Sequence, residues 1–355
     1  MLKDNTNPLE KIKPWKIILP VFIGLIVSLW LLLREFNLEA YRNIHWTMQA
    51  SLWIFLAVIC MIIRDVAYMY RIRVLTNYDL SWRRSFPVIM LWEFASAITP
   101  TMIGGTAVAF FIINKEKINM GRSIAVVLTT AFLDELFFIL LVPVVFVLAG
   151  TDNLFSSLDP QNFQQITLFG KGLMYTFWTG YSILLIYTLL VAYAIFINPR
   201  AVKWLLLRLF SIPFLRKWRE RAHYTGNDLI TASREMRNQS FLFWMKSFGA
   251  TLFSWTARYM VVNCIIMAFM VNGLLENAII YARQLVMWII MLVTPTPGAS
   301  GVAELLFKQL LSEFIPEQIS PSVALLWRVI SYYPYLFIGA ILLPRWIRRW
   351  MKNKS

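Results

Sequence analysis

Long apolar segments separated by charged connections constrain this chain more strongly than any other feature. Their lengths approach or exceed the about 20 residues that a helix needs to cross a bilayer. None alternates with the period of two that a transmembrane β-barrel requires. The segments are residues 16–33, 46–63, 85–113, 123–150, 173–198, 241–271, 278–311 and 321–343. The sequence therefore predicts an all-α polytopic membrane protein.

Composition supports a membrane protein over a soluble one. Hydrophobic residues make up 59% of the 355 residues and charged residues 15%, against about 45–50% and about 25% in soluble domains. The first segment is too long for the apolar core of a signal peptide, and no small-residue cleavage site follows it. We therefore interpret residues 16–33 as a first membrane span.

The positions of lysine and arginine predict which connections face the cytoplasm. The cation-rich connections, with four, five, three, nine and five lysines or arginines, are residues 1–16, 64–84, 114–122, 198–240 and 344–355. The cation-poor connections, with two, one, none and none, are residues 34–45, 151–172, 272–277 and 312–320. Because cytoplasmic loops carry the excess of cations, both termini are predicted to be cytoplasmic.

Two apolar segments then begin and end on the same side of the membrane. Segment 85–113 has cation-rich connections at both ends, and segment 278–311 has cation-poor ones. The sequence thus predicts six full spans plus two re-entrant hairpins, each a broken helix. The alternative is that each broken segment is one kinked span, which would place connections 114–122 and 198–240 on opposite sides.

The two broken segments resemble each other at an offset of about 195 residues. Residues 99–101 and 294–296 both read Thr-Pro-Thr, and glycines follow in each segment. Because the copies are predicted to enter from opposite faces, the pattern indicates an inverted-topology repeat with a binding site near the bilayer midplane. The halves would be residues 46–198 and 241–343, joined by a basic amphipathic cytoplasmic segment at 199–240.

The breaks themselves favour an anionic ligand. Proline and glycine unwind a helix, and unpaired backbone groups must then line protein or a water-filled cavity. Half-helices that start near Thr106 and Val302 would direct free N–H groups and positive dipole ends into that cavity. A lipid phosphate would fit such a site.

Ionisable residues inside the apolar segments are further candidates, because charge in a membrane interior is costly and usually functional. Asp134 and Glu135 are adjacent and should face about 100° apart. Glu304 either caps its own helix or pairs with Arg328 or Arg258. Arg258 in turn either joins the site or extends its side chain to the membrane interface. The full set is Glu93, Asp134, Glu135, Arg258, Arg283, Glu304 and Arg328.

Arginines just after residue 63 are interpreted differently, as cytoplasmic anchors that meet anionic lipid. They are Arg64 with Asp65, followed by Arg71 and Arg73.

Signatures of an enzyme or a metal site are lacking. The sequence has no P-loop, GxSxG, HExxH or dinucleotide-binding fingerprint. The longest connection, residues 198–240, is short for a catalytic domain. Two cysteines and two histidines do not suffice for a metal cage. We therefore expect no enzymatic activity, no cofactor and no metal, and nucleic-acid binding is not needed to explain the basic charge.

The second broken segment and the last span resemble a known family. Residues 295–304 read PTPGASGVAE and residues 327–333 read WRVISYY, which resembles the lysylphosphatidylglycerol synthase transmembrane family. This flippase-like domain also forms the N-terminal membrane part of the multiple peptide resistance factor. Residues 99–105 and Asp134 fit the same family. The chain departs from it at Thr106, where relatives often carry a carboxylate, and at residues 130–133, which lack a Glu-Arg pair.

The resemblance implies a multi-pass protein of the bacterial inner membrane that translocates a phospholipid, for example aminoacyl-phosphatidylglycerol, or a lipid-linked headgroup. Its partner would be a phospholipid with an anionic or aminoacylated headgroup, and a homo-oligomer is an open alternative. The soluble aminoacyltransferase domain has no counterpart in these 355 residues. Two other functions stay open: an ion- or proton-coupled small-solute transporter, and an accessory subunit of a lipid-modifying system.

The predicted substrate site combines both breaks with the intramembrane charges. The breaks would donate hydrogen bonds to phosphate, and the charged residues would tune the cavity. The predicted site residues are Thr99, Pro100, Thr101, Gly104, Gly105, Asp134, Arg258, Thr294, Pro295, Thr296, Gly298, Ser300, Gly301, Glu304 and Arg328.

Overall fold

The computed structural model describes residues 46–99, 102–155, 167–211, 216, 219–292 and 302–352. Within these ranges every regular element is a helix. The helices are α1 (Met48–Leu75), α2 (Trp82–Ile98), α3 (Met102–Lys115), α4 (Met120–Ala149), α5 (Thr151–Phe155), α6 (Thr167–Phe196), α7 (Pro199–Leu209), α8 (Arg219–Met236), α9 (Phe241–Phe269), α10 (Leu274–Leu292), α11 (Val302–Leu310), α12 (Ser320–Ser331) and α13 (Tyr333–Lys352). The predicted all-α class is therefore confirmed for the described part of the chain.

Six stretches of the described helices are long and apolar enough to cross a membrane. They are Met48–Leu75, Met120–Ala149, Gly172–Phe196, Phe241–Phe269, Leu274–Leu292 and Ser320–Arg349. Five of them coincide with predicted crossings, and a sixth predicted crossing, 16–33, lies outside the described residues. The remaining stretch is α10, the first arm of the broken segment 278–311. The chain is a multi-pass membrane protein.

Helices α1 and α9 pack against each other along their length and run antiparallel. Near one end, the ring of Trp46 lies 6.0 Å from that of Phe269. Further along, the Ser254 hydroxyl donates to the Arg64 carbonyl at 3.3 Å, and Arg71 Nη1 donates to Thr251 Oγ1 at 2.9 Å. Residue numbers rise along α1 as they fall along α9, which is the relative direction that the loop charges require.

Four of the five cation-rich connections, those that the structure describes at least in part, meet at one end of the bundle and share ion pairs. At the start of α4, Arg122 Nε donates to the Leu75 carbonyl at 2.9 Å, and its Nη1 lies 3.5 Å from the Glu235 carboxylate. The buried Glu116 accepts from Trp346 Nε1 at 3.0 Å and from Arg349 at 3.1 Å. These contacts join the ends of α1, α3, α8 and α13.

Glu116 also brings the two ends of the α2–α3 segment together. Arg84, at the start of α2, donates from Nη1 to the Glu116 carbonyl at 3.0 Å, just beyond the end of α3. At the opposite end of the bundle, Arg283 of α10 connects two further segments. Its Nη2 contacts the Asn153 carbonyl and the Glu313 carboxylate, both at 2.7 Å, which joins two cation-poor connections.

Helices α12 and α13 together form the span predicted at 321–343, with a break at Tyr332. Pro334 explains the break, because proline has no N–H to donate to the preceding turn. The break has a positional effect: the Tyr332 hydroxyl donates to the Ala97 carbonyl at 3.0 Å. The C-terminal helices are thereby held against the end of α2, where Phe94 packs on Gly339.

Gly105, a predicted phosphate ligand, has a packing role between α2 and α3. A Cβ at this position would meet Ser96 Oγ and would lie 2.9 Å from Ser96 Cα. Only glycine lets the two helices approach this closely.

Replacement of Gly105 by alanine is therefore expected to destabilise the protein by about 1–3 kcal/mol, the usual range for overpacking. Thermal unfolding in detergent measures the effect. The matched control is Gly249→Ala, because a Cβ there meets nothing within 4 Å. Equal melting temperatures for the two variants would contradict the packing role.

Candidate functional site

One face of α1 carries basic and aromatic side chains into the interior of the bundle. Arg64, Tyr68 and Arg71 are spaced by four and three residues and so lie on one stripe of the helix. All three are buried, whereas Leu52, Phe55 and other apolar residues of α1 are exposed. The helix therefore presents an apolar face outward and a charged face inward.

Arg71 forms a two-point ion pair with Asp134 of α4. Arg71 Nη1 lies 2.5 Å from Asp134 Oδ1, and Nη2 lies 3.2 Å from Oδ2. The indole Nε1 of Trp255, on α9, also donates to Asp134 Oδ1, at 2.8 Å. Three N–H groups from two helices thus converge on one carboxylate. The Thr251 hydroxyl also holds the Arg71 guanidinium, because it accepts a hydrogen bond from Nη1.

Arg64 lies two turns away from Arg71 and contacts two carboxylates. Its Nη1 is 2.8 Å from Asp65 Oδ1, and its Nη2 is 2.7 Å from Glu93 Oε1 of α2. Nη1 also donates to the Tyr335 hydroxyl of α13 at 2.8 Å, and that hydroxyl donates to Asp65 Oδ1 at 2.8 Å. We call Arg64, Asp65 and Glu93 the Arg64 triad.

Tyr68 links the two arginines, because its ring centroid lies 4.4 Å from the Arg64 guanidinium carbon and 4.5 Å from that of Arg71. We call the Arg64 triad together with Arg71 and Asp134 the charged cluster. The arginine side chains are 0% and 5% exposed, whereas each of the three carboxylate side chains is 21% exposed. The acidic groups thus form the accessible side of the cluster.

The two adjacent carboxylates of α4 face different helices, as the sequence predicts. Asp134 points towards α1 and α9, while Glu135 accepts from the Thr188 hydroxyl of α6 at 3.2 Å. Only Asp134 belongs to the charged cluster.

Three predicted intramembrane arginines take different roles. Arg283 is buried and ties the ends of helices, since its Nη1 donates to the Leu310 carbonyl at 2.8 Å. Arg258 is half-buried with its guanidinium 5.4 Å from the Trp255 ring, next to the indole that contacts Asp134. Arg328 is buried, with its guanidinium 5.0 Å from the Tyr332 ring, near the end of α2.

Thr99 is described, and its hydroxyl donates to the Ala95 carbonyl at 2.8 Å, within the last turn of α2. Gly104 belongs to α3, and Glu304 belongs to α11, whose axis is described although this side chain is not. The remaining predicted site residues, which lie outside the described residues, are Pro100, Thr101, Thr294, Pro295, Thr296, Gly298, Ser300 and Gly301.

The interpretation of Arg64, Asp65 and Arg71 as cytoplasmic anchors is wrong. Helix α1 continues to Leu75, and these side chains face protein partners rather than lipid headgroups. The signal is present in the spacing of Arg64, Tyr68 and Arg71, which continues the buried stripe of the apolar segment. The predicted apolar segment ends at residue 63, just before Arg64, so the three residues are not recognised as part of the same helix face.

Comparison with known proteins identifies a membrane-protein family. The model of the family described as the lysylphosphatidylglycerol synthase TM region matches residues 17–339. A curated relative, the UPF0104 membrane protein of Archaeoglobus fulgidus, is 28% identical over 282 residues, which cover 76% of this chain and 79% of the relative. No solved structure matches the chain.

Proposed function

Because the chain belongs to the lysylphosphatidylglycerol synthase transmembrane family, we propose that it moves a phospholipid or other lipid-linked headgroup between the leaflets of the bacterial inner membrane. The charged cluster carries this proposal. Five ionisable side chains lie within or between apolar helices, where each charge is costly and structural need alone rarely retains it. Aminoacyl-phosphatidylglycerol is one candidate cargo, and we expect no aminoacyltransferase activity.

The Arg71 pair has the donor set that an anionic headgroup needs. Two guanidinium N–H groups and the Trp255 indole N–H converge on the Asp134 carboxylate. Phosphate offers acceptor oxygens to the same kind of planar, two-point donor. In the proposed mechanism Asp134 holds Arg71 in place while no headgroup is bound. The phosphate of an entering headgroup then takes the place of the Asp134 carboxylate on Arg71.

The path of the headgroup is proposed to run between two re-entrant hairpins. The contact of Arg84 with the Glu116 carbonyl supports the first hairpin, since it joins both ends of the α2–α3 segment. The contact of Arg283 with the Leu310 carbonyl supports the second, since it joins α10 to the end of α11 at the opposite pole.

An inverted repeat of residues 46–198 and 241–343 accounts for this arrangement. Each half has a long helix, two helices that flank a break, and a further long apolar stretch, and the first half has α6 in addition. The leading helices α1 and α9 run antiparallel, as inverted copies would. The proposed topology keeps both termini in the cytoplasm, with residues 199–240 lying on the inner leaflet. The breaks, Glu304 and Arg328 remain proposed contributors to the substrate site.

Leaflet exchange in liposomes tests the function directly. Purified protein would be reconstituted with fluorescent phosphatidylglycerol or a fluorescent aminoacylated lipid, and a membrane-impermeant quencher would report the outer-leaflet fraction over time. We expect protein-dependent exchange of at least one lipid, reduced in Arg328→Ala. Entrapped small fluorescent solutes provide the control for leakage. Folded protein that exchanges neither lipid would contradict the proposal and favour a solute transporter or an accessory subunit.

A further inference from the structure

The Arg64 triad holds one more negative than positive charge. Asp65 and Glu93 both contact the single guanidinium of Arg64. The nearby Arg71 does not correct the imbalance, because it already pairs with Asp134. The cluster as a whole has three carboxylates and two guanidinium groups, which leaves one negative charge. An uncompensated charge packed against membrane-spanning helices is expensive, so the triad is suited to take up a cation.

Access to the triad comes from its acidic side. The Asp65 and Glu93 side chains are each 21% exposed, while Arg64 beneath them is fully buried. The two carboxylates are not equally engaged. Asp65 accepts from both Arg64 and Tyr335, whereas Glu93 contacts Arg64 through Oε1. Glu93 is therefore the carboxylate with capacity for another ligand.

A second feature of the same guanidinium points to a missing ligand. Arg64 Nε and Nη2 are buried, and neither has a hydrogen-bond acceptor among the described residues, although Nη2 lies 2.7 Å from Glu93 Oε1 and buried N–H groups are nearly always paired. A water molecule carried by a hydrated cation would supply both an acceptor for Nε and the missing positive charge. A ligand that brought only negative charge would worsen the imbalance.

From these observations we propose that the Arg64 triad binds one small monovalent cation through Glu93 and Asp65. A hydrated sodium ion would supply both the positive charge and an acceptor for Nε, whereas a proton would supply the charge alone. The charged and titratable groups that surround the two carboxylates and Arg64 are Tyr68, Arg71, Asp134 and Tyr335. Cation binding at Glu93 competes with its ion pair to Arg64 and so loosens α2, the first arm of the hairpin, from α1. Binding of the cation does not depend on whether the protein moves lipid. Only the further idea that the cation drives lipid movement rests on the proposed function.

Two binding measurements on purified protein separate the cations without requiring lipid transport. Scintillation proximity with radioactive sodium measures sodium binding at constant pH. Charge displacement on a solid-supported membrane, after a pH jump in sodium-free buffer, measures proton binding. We expect a saturable signal in at least one assay, reduced about tenfold in Glu93→Gln and retained in Glu93→Asp, which keeps the charge.

The matched control is Glu317→Gln, which removes an exposed carboxylate paired with Lys308 at the surface. Asp65→Asn serves as a second site variant if Glu93→Gln does not fold. No signal in either assay from folded wild-type protein would overturn the proposal, as would a Glu93→Gln signal equal to that of Glu317→Gln. Cation binding without any lipid exchange would uphold the site and reject the proposed transport instead.

Discussion

The double replacement Arg71→Gln, Asp134→Asn is expected to give a folded protein that has lost lipid exchange. Each single replacement leaves a buried charge without its partner, which costs about 3–5 kcal/mol of stability. The double variant removes both charges and leaves two neutral polar side chains in their place. Exchange should nonetheless fall about tenfold or more, because the headgroup loses charge-assisted hydrogen bonds worth about 1.5–3 kcal/mol.

This pattern distinguishes a binding role of the pair from a structural one. Melting temperature in detergent and leaflet exchange in liposomes would be measured for both single variants and the double variant. The exposed pair Lys308–Glu317, replaced by Lys308→Gln, Glu317→Gln, is the control, and it should change neither quantity. If the double variant recovered exchange together with stability, Arg71 and Asp134 would be structural, and the proposed mechanism would lose its anion site.

Replacement of Arg64 by methionine is expected to cause the largest loss of stability among the single replacements proposed. The substitution keeps an unbranched side chain but leaves Asp65 and Glu93 as neighbouring carboxylates without a cation. It also removes the N–H group of α1 that donates to the Tyr335 hydroxyl. Breaking a buried ion pair from one side costs about 3–5 kcal/mol, and here two carboxylates lose the same partner.

Unfolding in detergent, followed by heating and by urea, would measure this effect. Arg258→Met is the matched control, because Arg258 is half-buried and stacks on the Trp255 ring. The Arg64 variant should melt well below the control. Arg64→Met, Glu93→Gln should recover part of the loss, since it removes one of the two stranded charges. Similar melting temperatures for Arg64→Met and Arg258→Met would show that the triad contributes little to folding.

The membrane character of the chain and the relative direction of its helices can be predicted because both depend on residues that are close together in sequence. A span needs only a run of apolar residues, and sidedness follows from cations in the adjacent connection. The contacts of Arg122 with Glu235 and of Arg283 with Glu313 bring together the connections that the charge counts group together. Such predictions do not depend on knowing which helices touch.

The charged cluster cannot be predicted in the same way, because its partners are distant in sequence. Arg71 contacts Asp134 and Thr251, and Arg64 contacts Tyr335. Whether an arginine anchors a helix end or enters the bundle depends on such partners. The sequence predicts Asp134 as a site residue, yet it assigns the cation that pairs with Asp134 to the cytoplasmic surface. The packing of Gly105 against Ser96 could not be predicted either, because it depends on how closely α2 and α3 approach each other.

The sequence separation of the cluster's partners has a consequence for biosynthesis. Arg64 and Tyr335 are 271 residues apart, and Arg71 and Thr251 are 180 residues apart. When α1 leaves the ribosome, α9 and α13 do not yet exist, so Arg64 and Arg71 enter the translocon without several of their final contacts. An arginine near the middle of a span opposes insertion by about 2.5–3.5 kcal/mol. The apolar first half of α1 must therefore hold the helix in the membrane until the later helices arrive, which makes this segment the expected point of dependence on an insertase.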